Sequence, residues 1–301
     1  MGVNGEAVRF FNRATGELEE EAIYGEGFLR WAYETVPGRL SVASFVRRRF
    51  FSQWYGWRMS RAASRKRVGA FVESYGTEMA EFEKGVEEFD SFNDFFYREL
   101  AEGARPLAGG DGAVVFPADG RHLALPDVAA GDGFFVKGQR FDLVGLLGGE
   151  DAGKRYRDGT LVLSRLCPVD YHRFHFPVSG EAGRARLVNG WLYSVSPVAL
   201  RRQLRYLWEN KRMVTEIDTP NCGRVTVVEI GATCVGTVVQ TAALPGKVEM
   251  GEEKGYFAFG GSAVMTLFER GAVELADDLK EWSGKGVEVY AKMGELMARS
   301  R

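Results

Sequence analysis

The hydrophobic pattern changes its period once, near residues 103–112, and that change limits what the chain can fold into. Before it, apolar residues recur at steps of three and four. Ala43, Val46, Phe50, Trp54 and Trp57 predict one face of a helix. The segment GARPLAGGDG (103–112) supplies Gly and Pro breakers. Beyond it, apolar residues come in short β-branched runs: AVVFPA, GTLVLSRL, RFHFPV, RVTVVEI, TCVGTVVQTA and SAVMTLF. PVALRRQLRYLWENKR interrupts them as a helix, and ELADDLKEW predicts another. The expectation is an α+β protein, with a helical N-terminal region over residues 1–105 and a β-rich, barrel- or sandwich-like part over residues 106–301. With 45% hydrophobic residues in 301, the chain has ample material for a core, and wholesale disorder is excluded.

Charge is segregated along the helical part. From Thr35 to Val72 there is no Asp or Glu, yet nine cations: Arg39, Arg47, Arg48, Arg49, Arg58, Arg61, Arg65, Lys66 and Arg67. Interleaved Phe and Trp make this stretch suited to an anionic membrane surface, where aromatics sink to headgroup level and arginines meet lipid charge. The net charge of −2 gives no global field, and no nucleic-acid partner is expected. Cys167, Cys222 and Cys234 are odd in number and widely spaced, which suits a reducing compartment. The sequence starts without the apolar core of a secretory signal, and no apolar run reaches bilayer length. A cytoplasmic, soluble or peripheral protein is therefore expected.

Few residues carry chemistry. GGEDAGK (148–154) fits part of a phosphate loop, but Arg155 stands where Ser or Thr is needed, so it reads as a surface loop. Two of the three histidines, His172 and His175, share the segment CPVDYHRFHFPVSG. Their odd spacing would place them on opposite faces of a strand, so convergence needs a turn or bulge near Pro168. Asp170 beside them suggests no metal, because the spacing is wrong and a third ligand is not evident. Asp119 in FPADGR fits a turn, or a carboxylate that orients a histidine. Gly260-Gly261-Ser262 precedes an apolar run, and Ser262 is a candidate nucleophile. The GxSxG elbow of hydrolases is absent.

The chain resembles the phosphatidylserine decarboxylase family, in the version with GGS at its processing site. The resemblance rests on an ordered succession: FNRATGELEEEAIYGEGFLRWAYE, SFNDFFYREL, GARP, FPADGR, FFVKGQRFDLVGLLG, RLCPVDYHRFHFPVSG, VEIGATCVGTV and EEKGYFAFGGSAV. One departure is Ala263, where the family usually has Thr. The resemblance implies self-cleavage between Gly261 and Ser262, giving a β chain and an α chain and leaving a pyruvoyl group derived from Ser262. It implies that His175 is the base on Ser262, that Asp119 orients it, and that His172 returns a proton to the substrate. The substrate amine would form a Schiff base with the pyruvoyl carbonyl and lose CO₂, converting phosphatidylserine to phosphatidylethanolamine. The implied partners are phosphatidylserine, an anionic membrane on its cytoplasmic side, and a second copy in a homodimer. Relatives in the superfamily decarboxylate amino acids, so a soluble, aromatic substrate is the alternative. An unprocessed, non-enzymatic membrane-binding β protein is a further one.

Overall fold

The computed structural model describes residues 7–128, 141–234, 238–258, 260 and 262–301. Gly261, on the amino side of the expected cleavage, lies outside the described residues, as does the first half of FFVKGQRFDLVGLLG. Among the described residues the strands are β1 (Arg9–Asn12), β2 (Glu17–Glu20), β3 (Ala113–Val115), β4 (Gly120–Leu125), β5 (Thr160–Leu166), β6 (Arg173–His175), β7 (Gly180–Ala182), β8 (Arg186–Val188) and β9 (Arg212–Thr219). They continue with β10 (Gly223–Ile230), β11 (Val238–Gln240), β12 (Gly246–Val248), β13 (Glu253–Phe257), β14 (Ser262–Phe268), β15 (Val273–Leu275), β16 (Glu288–Ala291) and β17 (Leu296–Ser300). A large sheet runs β12-β7-β9-β10-β14-β5-β4-β16-β1-β2, with β8 also paired to β9. Two small sheets, β11-β13-β6 and β15-β17-β3, accompany it.

The centre of the large sheet follows from composition. SAVMTLF is apolar at nearly every position, as a strand covered on both faces must be. As β14 it pairs antiparallel with β10 and β5. Ala263, Met265 and Leu267 enter one core; Val264 and Phe268 enter another on the opposite face. Gly120 begins β4 where a Cβ would stand 2.5 Å from the Arg165 carbonyl oxygen, so only glycine lets β4 lie this close to β5.

The helices are α1 (Glu26–Glu34), α2 (Val36–Ser41), α3 (Arg49–Met59), α4 (Arg67–Tyr75), α5 (Phe92–Phe96), α6 (Leu143–Leu147), α7 (Glu150–Arg155), α8 (Pro197–Arg202), α9 (Tyr206–Glu209) and α10 (Asp277–Gly284). Thr35 starts α2: its hydroxyl accepts from the Gly38 N–H at 3.1 Å, and Pro37 occupies the first turn.

Several expectations are revised. The single helical face from Ala43 to Trp57 does not form. A π-helical turn at Val42–Val46 ends before Arg48, whose extended backbone resets the phase for α3. Val46 is buried, whereas Phe50, Trp54 and Trp57 are more than half exposed at 51%, 51% and 58%. The region expected to be helical from residue 1 opens instead with the β1–β2 hairpin, and β1 runs parallel to β16 at the far end of the chain. PVALRRQLRYLWENKR is divided into α8 and α9, because Gln203 takes an extended conformation between them. GGEDAGK is not a loop throughout, since Glu150–Arg155 forms the short helix α7.

Candidate active site

Ser262 opens β14 and pairs with Leu166, the last residue of β5. It is fully buried, and its Oγ has no hydrogen-bond partner among the described residues. After β5 the chain turns sharply through Pro168. The Asp170 carboxylate accepts from the Cys167 N–H at 2.6 Å and from Arg121 Nη1 at 2.7 and 2.9 Å. That clamp fixes the turn against β4 and delivers Tyr171, His172 and β6. In turn β6 pairs with β13, the strand that leads directly to residues 258–262. The Phe257 N–H donates to the His172 carbonyl at 2.9 Å, so His172 stands beside the approach to Ser262.

The two histidines differ in what their nitrogens meet. His172 Nδ1 faces the Asp170 carbonyl oxygen at 2.9 Å. A carbonyl only accepts, so Nδ1 carries the hydrogen and Nε2 keeps its lone pair. Among the described residues that Nε2 is buried without a hydrogen-bond partner of good geometry, and the Gly260 backbone is close enough to favour its protonated form. The Phe96 ring packs on the imidazole with centroids 3.8 Å apart. Burial pushes His172 down to about 3, against the opposing pull of the Asp170 carbonyl, and the Arg98 charge adds to the lowering. The ring is therefore neutral near pH 7. His175 is held at both nitrogens: Nδ1 donates to the Gly251 carbonyl at 3.0 Å, and Nε2 accepts from the Tyr171 hydroxyl at 3.1 Å. Burial also lowers its pKa.

Asp119 lies behind this segment. Its oxygens take Arg105 Nε at 3.1 Å, Arg105 Nη2 at 2.7 Å and the Met293 N–H at 2.8 Å. It makes no hydrogen bond to either histidine; its charge reaches His175 through space. The two segments are nonetheless tied together, because the His175 N–H donates to the Pro117 carbonyl at 2.8 Å. The turn at Pro168 is present ahead of both histidines, with His172 just before β6 and His175 at its end, and the two rings meet different partners.

A cavity of 420 Å³ leads to this place. Its outer wall is apolar and aromatic, with Phe28, Leu29, Phe51 and Trp54 from α1 and α3. Its inner end reaches Leu166, Cys167 and Gly260. Arg165 and Glu21 give that end a polar edge. Arg165 is saturated by Glu21 at 2.6 and 3.1 Å and by Glu288 at 2.7 and 2.9 Å. Burial raises Glu21, but Arg165 and Arg121 outweigh it and hold the carboxyl at about 2. Sequence reading passed over this ion network. In TLVLSRL an arginine looks like a solvent-facing position, and its partners come from residues 21 and 288.

Fold and site together define an enzyme centre: a buried serine paired with Leu166, which lines the inner end of an apolar cavity, and a neutral histidine beside the chain that leads to that serine. A family model for phosphatidylserine decarboxylase matches residues 92–299. A phosphatidylserine decarboxylase proenzyme of Fusobacterium nucleatum is 41% identical over 299 residues, covering 99% of this chain and 100% of that protein. Proteins of the same description from Chlamydia caviae and Clostridium beijerinckii are 40% and 37% identical, covering 97% and 96% of this chain and 98% and 97% of theirs. The chain belongs to the phosphatidylserine decarboxylase family.

Proposed function

We propose that the protein removes the carboxylate of phosphatidylserine as CO₂ and leaves phosphatidylethanolamine, after converting its own Ser262 into a pyruvoyl group. The observation that carries this reading is that the apolar cavity reaches Leu166 and Gly260, the strand partner and near chain neighbour of the buried Ser262, whose hydroxyl has no hydrogen-bond partner among the described residues. Apolar walls suit acyl chains, since each CH₂ left in water costs about 0.8 kcal/mol.

The residues fit formation of the group. By the family resemblance His175, with Asp119 behind it, takes the proton of Ser262 Oγ, and the oxygen bonds to the Gly261 carbonyl carbon. The bond from that carbon to the Ser262 nitrogen breaks, and the proton passes to the nitrogen. Loss of a proton from Cα of residue 262 then expels the oxygen as the Gly261 carboxylate. Water releases ammonia from residue 262, leaving chains of 261 and 40 residues. The pyruvoyl group supplies an electron sink for the charge left by departing CO₂. His172 is placed to hold the proton that returns to the substrate carbon. The Tyr171 hydroxyl and the Gly251 carbonyl hold the His175 ring, and Arg105 holds Asp119, whose charge favours the protonated form of that ring.

Phe28 and Trp31 on α1 are exposed, as are Phe45, Phe50, Trp54 and Trp57 in the basic stretch that follows, and Phe28 and Trp54 also line the cavity. They fit peripheral binding to anionic lipid on the cytoplasmic face of a membrane. No helix among the described residues is long and apolar enough to cross one.

The test compares the wild-type chain with Ser262→Ala. Intact mass should show two fragments for the first and one chain for the second, and only the first should turn over phosphatidylserine. Equal turnover by both would refute the reading.

A further inference from the structure

Four arginines of the basic stretch lie over exposed indole rings. Arg47 and Arg48 stand over Trp191, at 4.1 and 5.0 Å from the ring centre. Arg58 stands over Trp54 at 5.9 Å, and Arg61 over Trp57 at 4.6 Å. Trp191, Trp54 and Trp57 are exposed at 37%, 51% and 58%. Among the described residues none of these arginines meets a carboxylate; Arg47 donates to the Tyr193 hydroxyl, and Arg48 Nε to the Ser44 carbonyl at 3.4 Å. A guanidinium placed over a ring turns its face to the ring and keeps its N–H edge for an anion. Ring contacts join the two ends of this surface: Phe50 to Phe45 at 4.7 Å, Phe45 to Phe51 at 5.2 Å and Phe51 to Trp54 at 6.2 Å. Trp54 also lines the apolar cavity, so the surface and the substrate's way in are continuous. The rest of the chain opposes an anionic layer. Nine of the 39 Lys and Arg lie between Thr35 and Val72 without one of the 41 Asp and Glu, which leaves the remainder rich in acid.

We propose that these arginines hold the protein on an anionic bilayer and that it lets go as its own product accumulates. The proposal rests on the activity and the membrane face proposed above, and adds a regulation to them. Phosphatidylserine carries a phosphate, a carboxylate and an ammonium group, which leaves one net negative charge. In the reaction the bond from carbon to the carboxylate breaks and CO₂ leaves uncharged. The electron pair left on carbon takes up a proton that comes from water. Phosphatidylethanolamine keeps the phosphate and the ammonium group and has no net charge. Each turnover therefore removes one negative charge from the leaflet that the arginines face. A cation near an anionic surface is worth about fivefold in partitioning, so four separate a charged leaflet from a neutral one on the order of several-hundredfold. The aromatic rings still favour the bilayer, but their burial is the same before and after the carboxylate is lost. The hold thus follows the phosphatidylserine content, and a leaflet converted to product returns the protein to solution. Where a second anionic lipid is present, the charge persists and so does binding.

The test follows the mature wild-type protein on two vesicle preparations. In one, phosphatidylserine is the sole anionic lipid in phosphatidylcholine. In the other, phosphatidylglycerol is added at the same mole fraction. Bound protein is measured by sedimentation while CO₂ release runs to completion. On the first preparation the bound fraction should fall about tenfold or more, and the released protein should bind and act on fresh phosphatidylserine vesicles. On the second it should stay bound. The Ser262→Ala chain, which leaves the lipid unchanged, should stay on both. Joint Arg47→Gln and Arg48→Gln should weaken the initial binding by about twentyfold. Protein that remains on the first vesicles after their phosphatidylserine is consumed overturns the proposal, as does equal release from both preparations. Unchanged binding by the double variant overturns the assignment to the arginines over Trp191. A wild-type protein that binds but releases no CO₂ would instead defeat the function proposed above.

Discussion

Replacing Lys254 by Met should destabilise the uncleaved chain by several kcal/mol although it touches no reacting atom. Lys254 on β13 reaches Glu229 on β10, Nζ to Oε1, at 2.9 Å, and both side chains are 0% exposed. Gln240 closes the triangle: it accepts from Lys254 Nζ at 2.6 Å and donates to Glu229 Oε2 at 3.1 Å. The group ties the small sheet that carries His175 to the large sheet that carries Ser262. Glu229 lies opposite Val264, on the face of β14 that Ser262 shares. At this separation the attraction is about 6 kcal/mol for an effective dielectric near 20. Desolvation of two ions offsets most of that gain, so the intact pair is worth little in net terms. Removing one partner leaves an uncompensated buried charge, which costs about 3–5 kcal/mol. Burial already pushes Glu229 upward, and without Lys254 it should rise further. Its folded pKa, already above its unfolded one, would stand further above it. The folded state binds more protons, and the loss of stability grows as pH rises through that window. Urea unfolding of the Ser262→Ala chain, followed by tryptophan fluorescence at about pH 5 and about pH 8, measures this. Adding Glu229→Gln should recover most of the loss and remove the pH dependence. A cost for Lys254→Met below about 1 kcal/mol would refute the reasoning, as would a double variant no better than the single.

Glu21, held at about 2, contributes stability that is present above its ordinary value of 4.5 and lost as pH falls through 2. Its full contribution is roughly 3 kcal/mol, so acid unfolding should be shallower in Glu21→Gln; identical acid profiles would contradict this. Trp54→Ser with Trp57→Ser should cut sedimentation with anionic vesicles several-fold and leave the melting temperature nearly unchanged, since both rings are outward. Undiminished sedimentation would remove α3 from the membrane-facing surface. Gly120→Ala must push a Cβ into the Arg165 carbonyl and should cost about 1–3 kcal/mol, read as a lower melting temperature.

The chain's own pattern settled the existence of the central strands. SAVMTLF, GTLVLSRL and RVTVVEI are apolar and β-branched over lengths that suit strands, and they became β14, β5 and β10. ELADDLKEW likewise became α10. The order Asp119, His172, His175, Ser262 was also visible in sequence, through a resemblance that the family match supports.

Other features were decided by distance in space. Whether Phe50, Trp54 and Trp57 face inward depends on the backbone at Arg48, which no periodicity records. The β1–β2 hairpin needs β16, nearly three hundred residues away, as a neighbour. Arg165 and Lys254 look like surface charges in their local strings. They are buried because carboxylates from Glu21, Glu288 and Glu229 arrive from other strands. The hydrogen on His172 Nδ1 is set by the Asp170 carbonyl two residues back, which also accepts from Arg98, beyond the end of α5. Local sequence determined which segments could be apolar strands and helices, because side-chain period is a property of neighbours along the chain. Tertiary structure decided the partners of buried charges and the state of the imidazole, because those energies depend on groups that only folding brings within hydrogen-bonding reach.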